Sequence, residues 1–176
     1  MTYQYRREPL TAEEEDRLVN ACQNHNEKLV VWILLDTGLR VSELANLKKE
    51  NILWQERRLV IYGKGGPYGK KTKRRVIPLT DRVKKLLEVQ FATSENGIGL
   101  STRTIQRLIT KVANRAMISK KVTPHVLRHT FSIRCIQKGI STRALQEFLG
   151  HDHLSTTEIY LNLSPEEALG EFYRKW

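Results

Sequence analysis

Cysteine is scarce in this 176-residue chain: Cys22 and Cys135 are the two, with no CxxC and no paired spacing. A disulfide scaffold and a thiolate metal knuckle are thereby excluded, and free, buried thiols in a reducing compartment are expected. Long apolar runs are also missing. None approaches the roughly 20 residues of a membrane helix, and the opening MTYQYRREPL has no apolar signal-peptide core. A soluble, cytoplasmic protein with no membrane partner is therefore expected. There is no Walker A motif, so no nucleotide is implied. No internal repeat or low-complexity segment breaks the chain. The most telling absence is of acidic residues between Glu95 and Glu147, where ten Lys and Arg occur. A solvated face mixes both signs, so such a stretch expects a polyanion, although a basic surface that only aids solubility is the plainer alternative.

With 40% hydrophobic residues, the length suits one domain core and not two. The net charge of +11 is unevenly placed. Residues 1–56 carry seven basic and ten acidic side chains, residues 57–146 twenty-one and three, and residues 147–176 two and six. The middle of the chain holds the positive charge.

Thr11 and Glu14 form a capping-box pattern that opens a helix over about 11–23. NEKLVVWILLDTG reads as a mostly buried helix stopped by Gly38, and VSELANL as a short helix after it, which puts Arg40 at a helix-to-helix corner. RRLVIYG and RRVIPL are short β-branched runs around GKGGPYGKKTK, a segment in which helix cannot continue, so a β-hairpin with a long basic loop is expected. Helices resume in LTDRVKKLLEVQF and STRTIQRLITKVANRAM. In the latter, Ile105, Leu108, Ile109 and Val112 form an apolar stripe, while Arg103, Arg107, Lys111 and Arg115 recur every four residues on another face. TPHVLRHTFSIRCIQKG places Pro124 at a first-turn position and Gly139 at a stop, so His125 lies in a helix's first turn. TRALQEFLG, STTEIYLNL and PEEALGEFYRKW complete an α+β fold, mainly α-helical with one small antiparallel β-hairpin.

Four motifs stand in order: TGLRVSEL at 37–44, GKG at 63–65, HVLRH at 125–129 and LGHDHLSTTEIY at 149–160. Together, over roughly residues 10–163, they resemble the tyrosine recombinase family of phage integrases and Xer recombinases. The resemblance implies the DNA breaking-rejoining catalytic fold and a catalytic set of Arg40, Lys64, His125, Arg128, His151 and Tyr160. It implies cutting and rejoining of double-stranded DNA through a covalent 3′-phosphotyrosine, for recombination or integration, in the cytoplasm at the nucleoid. No metal, ATP or other cofactor is needed.

The chemistry explains those residue types. Moving a phosphodiester to a phenol passes through a five-coordinate state whose non-bridging oxygens gain charge, and guanidinium forks bind such oxygens bidentately. Arg40 and Arg128 are the clamp. A phenol with a pKa of about 10 must lose its proton in the attack, and an imidazole accepts one near neutral pH. His125 is the base and His151 a hydrogen-bond donor. The departing 5′ oxygen needs a proton, which Lys64 supplies. Lys73 is the next candidate, because Lys70, Lys71 and Lys73 share a loop longer than the family's usual GKGxKxR. The covalent ester conserves bond energy for religation. Among the other tyrosines none follows an LGH by nine residues.

Duller readings stand beside these. Arg40 could pair with Glu43 on a surface helix, and His125 with His129 has the i,i+4 spacing of zinc ligands but lacks the glutamate of HExxH. The resemblance makes Glu43 and His129 supporting residues. It also makes the 103–115 helix a DNA major-groove element, with Arg103, Arg107, Lys111 and Arg115, and the loop lysines Lys70, Lys71 and Lys73, at DNA; a solvated surface helix is the alternative. The expected organisation is a single catalytic domain over 1–176, with a tail helix at 164–176 and no helical core-binding domain before Leu10. The tail's apolar face, Leu169, Phe172, Tyr173 and Trp176, either folds back or docks on a neighbouring subunit in a dimer or tetramer on DNA. Two other functions remain open: relaxation of DNA like a type IB topoisomerase, and a catalytically silent DNA-binding regulator.

Overall fold

The computed structural model describes residues 8–63, 74–95 and 97–150. Helix α1 (Ala12–Asn20) starts from the reciprocal cap: Glu14 N–H donates to the Thr11 hydroxyl at 3.2 Å, and Thr11 N–H to Glu14 Oε2 at 2.8 Å. Helix α2 (His25–Thr37) is capped by Asn24 and buries residues around its whole circumference in its second half. It touches α1, α4 (Asp81–Thr93), α5 (Thr102–Arg115), α6 (Pro124–Gln137) and the short α3 (Val41–Ala45), and so forms the axis of the domain. A helix buried on every side in this way belongs at the centre of a domain. Gly38 stops it with φ 61°, a left-handed value that lets the chain turn into α3.

After a 3₁₀ turn at Lys49–Asn51 comes an antiparallel sheet in the order β1 (Ile52–Leu53), β2 (Arg58–Tyr62), β3 (Arg74–Pro78). Val60 faces Val76 in the β2–β3 register. The expected hairpin is β2 and β3. β1 adds a third strand, and with two residues it is too short to show the period-2 pattern that reveals a strand. On β3, Arg75 and Ile77 both turn to the buried side. Serine or threonine caps open α4, α5, α6 and α7 (Thr142–Leu149), and Gly150 closes α7 at φ 66°. Phe131, Cys135, Leu145 and Leu149 form a satellite core between α6 and α7. Both cysteines are free and buried as expected, and burial pushes each thiol up to about 11. Among the described residues, no helix is long and apolar enough to cross a membrane.

Buried carboxylates tie the helices together. Asp36 accepts from the Thr80 hydroxyl at 2.7 Å, from two nitrogens of Arg82 at 2.6 Å and from Arg134 at 2.8 Å. Burial alone would raise its pKa, but these donors hold it below the usual range. Glu27 is fully buried and takes Arg115 Nη1 at 2.7 Å, while the same nitrogen donates to the Ala21 carbonyl at 2.6 Å. Arg115 therefore departs from the row of basic residues expected to face DNA. A residue every four positions advances about 40° around a helix, so three steps carry Arg115 about 120° from Arg103, toward the core.

The Arg115 hydrogen bonds bring Glu27 down to about 2 from an ordinary 4.5. A depressed carboxylate contributes stability above its unfolded pKa and loses it as pH falls through the folded one. The chain should therefore lose stability between about pH 4.5 and 2, and Glu27→Gln should be less stable at neutral pH by on the order of 2 kcal/mol, with a flatter acid limb. Urea unfolding at stepped pH measures both. An unchanged acid limb in the variant would show that Glu27 is not the group responsible.

Candidate active site

The corner after α2 is built by one carboxylate. Arg40 occupies the N-cap position of α3, where its backbone N–H donates to Glu43 Oε2 at 2.7 Å and its Nη1 to Oε1 at 3.0 Å. Arg75 arrives from β3 and forks onto the same group, with Nη1 to Oε1 at 2.7 Å and Nη2 to Oε2 at 2.6 Å. The Arg75 side chain is 4% exposed and that of Glu43 10%, against 42% for Arg40. Burial would raise Glu43, yet the Arg75 fork and the Arg40 N–H hold it at about 2. It is ionised at any physiological pH.

Two guanidiniums then bind the end of α7. Arg75 Nε donates to the Phe148 carbonyl at 2.9 Å, and Arg128 Nη2 to the Leu149 carbonyl at 2.7 Å. Carbonyls in a helix's last turn have no partner within the helix, and cations there are favoured. Arg128 is buried, and its Nη1 donates to the Gly38 carbonyl. Arg128 thus touches the corner that carries Arg40 and the chain just before His151. Gly150 lies against Arg75: a Cβ there would stand 2.9 Å from Arg75 Cδ.

His125 is exposed in the first turn of α6, one turn before the buried Arg128. It lines a cleft of about 480 Å³ together with Gln106, Thr110, Lys121 and Thr123. Gln106 and Thr110 also belong to the outer face of α5, with Arg103, Arg107, Lys111 and Asn114, so this basic face runs on to His125. Lys111 is exposed, with Nζ 3.6 Å from Glu27 Oε1. His129 is half-buried, and burial pushes its imidazole pKa down, toward the neutral form.

The structure thus brings Arg40, Glu43 and Arg128 to one corner and puts His125 one turn from Arg128. Lys64, Lys70, Lys71, Lys73, His151, Tyr160 and the tail 164–176 lie outside the described residues. The residue that sequence reasoning missed is Arg75. Its signal was present, since period-2 alternation in RRVIP places it on the same side as the core residue Ile77, and a buried arginine needs a carboxylate.

Comparison with known proteins agrees with this architecture. The model of the Phage integrase family matches residues 8–167, and the chain belongs to that family of tyrosine recombinases. Tyrosine recombinase XerA of Thermococcus kodakarensis is 37% identical over 172 residues, which cover 89% of this chain and 58% of that protein. Tyrosine recombinase XerD of Staphylococcus aureus is 32% identical, covering 85% and 54%. The crystal structure of XerA recombinase superposes with a TM-score of 0.80 at 32% identity, over 95% of this chain and 62% of that one. XerH bound to its difH substrate shares the fold, with a TM-score of 0.73 at 22% identity over 92% of this chain and 52% of that one. The chain spans a little more than half the length of the curated relatives it matches.

At Gly38 an added Cβ would collide with the Phe131 ring and lie 3.2 Å from Leu149, whereas at Gly139, also left-handed at φ 80°, it would meet nothing within 4 Å. Both alanine variants should lose about 1–2 kcal/mol to backbone strain, and Gly38→Ala about 1–3 kcal/mol more from overpacking. Denaturant titration of the two variants compares them, and equal losses would show that the Phe131 ring yields freely.

Proposed function

We propose that the chain is the catalytic domain of a site-specific tyrosine recombinase, acting on duplex DNA without metal or ATP. The observation that carries this reading is the convergence of Arg40 and Arg128 on one corner, with His125 at the edge of a basic face. Tyr160, nine residues after His151, supplies the nucleophile. Its phenolic oxygen attacks the scissile phosphorus, the bond to the 5′ oxygen breaks, and a 3′-phosphotyrosine and a free 5′-hydroxyl result. His125 accepts the phenol proton and Lys64 gives one to the departing oxygen. Arg40 and Arg128 neutralise the charge that develops on the non-bridging oxygens, and His151 donates a further hydrogen bond. In the reverse reaction a 5′-hydroxyl attacks the ester, so strands exchange without an external energy source.

The outer face of α5 suits the DNA major groove. Arg103 and Arg107 can pair bidentately with guanine, and Lys111 with phosphate. The loop lysines Lys70, Lys71 and Lys73 would add phosphate contacts. In this reading the chain forms a single catalytic unit at the nucleoid, and its apolar tail face couples subunits on DNA.

A nicked duplex that releases its cleaved fragment traps the covalent adduct. Tyr160→Phe should bind this DNA as the parent does and form no adduct, and an adduct in that variant, or a 5′ attachment, would reject the mechanism. Arg40→Ala and Arg128→Ala should each slow adduct formation at least about a hundredfold, with circular dichroism confirming that Arg128→Ala is folded. EDTA should leave the parent rate unchanged. Lys64→Ala should regain activity on a 5′-bridging phosphorothiolate, whose sulfur leaves without a proton; rescue of Lys73→Ala instead would move the acid to Lys73.

A further inference from the structure

Among the described residues, two guanidiniums meet at the Glu43 carboxylate, and they are unequal. Glu43 offers one negative charge. Arg75 takes both of its oxygens at 2.6 and 2.7 Å from a buried position, while the Arg40 guanidinium touches one of them at 3.0 Å and is partly open to solvent. A buried bidentate pair is the stronger contact, because both partners have left water and the fork matches the carboxylate. The cluster therefore keeps a net positive charge, located on its exposed member. Without Arg75, Glu43 would keep one cationic partner among the described residues, Arg40. The pair would then be neutral, and a phosphate would have to compete with a carboxylate for the guanidinium.

We propose that Arg75 is a positioning residue that keeps Arg40 available to phosphate, by occupying the carboxylate that would otherwise neutralise it. The proposal rests on the reading of Arg40 as a phosphate ligand. It differs from simple structural support in one respect. What matters is the charge balance of the Glu43–Arg75 pair, so removing both charges should be far less harmful than removing one. Replacing both residues by glutamine removes both charges, keeps an amide oxygen at position 43 that can still accept from the Arg40 N–H, and leaves Arg40 facing no carboxylate there.

The test uses the 176-residue chain and single-turnover adduct formation on the nicked duplex at saturating DNA, with a melting curve for every variant. Arg75→Gln should slow adduct formation at least about tenfold while the fold is retained. Glu43→Gln/Arg75→Gln should regain at least about threefold over Arg75→Gln while staying below the parent, because the Phe148 carbonyl has still lost the Arg75 donor, and Arg75→Lys, which keeps the charge without the fork, should also lie between Arg75→Gln and the parent. A folded double variant as slow as Arg75→Gln overturns the proposal, as does Arg75→Gln at the parental rate. If Arg75→Gln unfolds, the double variant and Arg75→Lys decide in the same way, and unfolding of all three makes Arg75 a structural strut and ends the proposal. A parent chain that forms no adduct on this duplex overturns the functional reading itself, and the proposal with it.

Discussion

The geometry of the site depends on two buried guanidiniums that hold segments far apart in the chain. Arg75 joins β3 to Glu43 at the start of α3 and to the Phe148 carbonyl, and Arg128 joins α6 to the carbonyls of Gly38 and Leu149. A buried cation is costly unless its donors are met, and here the partners include two carbonyls at the end of α7, which need donors themselves. Each group thus resolves the other's deficit. The corner before α3 and the chain entering residue 151 are fixed to the same two side chains, so a shift in one displaces the other.

Charge in this protein is sorted by depth. Asp36, Glu27 and Glu43 sit inside and are matched by Arg82, Arg134, Arg115 and Arg75, all drawn from the basic middle of the chain. The excess of basic residues there therefore serves two purposes. Some of it neutralises buried carboxylates of the acidic first third, and the rest, including Arg103, Arg107 and Lys111, stands on the surface of α5. Net charge alone overstates how much of that stretch faces outward.

Much of the fold was legible because local rules agreed with it. The Thr11–Glu14 pattern marked a helix start, Gly38 marked a stop, and the apolar stripe of α5 gave its buried side. The misses share a cause, which is that they depend on contacts between distant residues. β1 exists because β2 pairs with it. Arg115 looked like one of a row until helical drift brought it to Glu27. Arg75 stood unremarked in the strand run RRVIPL, though its place two positions before Ile77 in the strand alternation would have put it indoors. Of the candidate site, the motif arginines and His125 fell where their local context indicated. What motif spacing could not show was that Glu43 is shared between Arg40 and Arg75.

The two buried thiols have a practical consequence for spectroscopy. Only the thiolate reacts with maleimide or nitroxide reagents at an appreciable rate, and thiols raised to about 11 and enclosed in the core are nearly all protonated at neutral pH. The native protein is thus chemically quiet toward such labels. A single cysteine introduced on the outer face of α5 could carry a fluorophore or spin label without first removing Cys22 or Cys135, leaving both cores packed as they are.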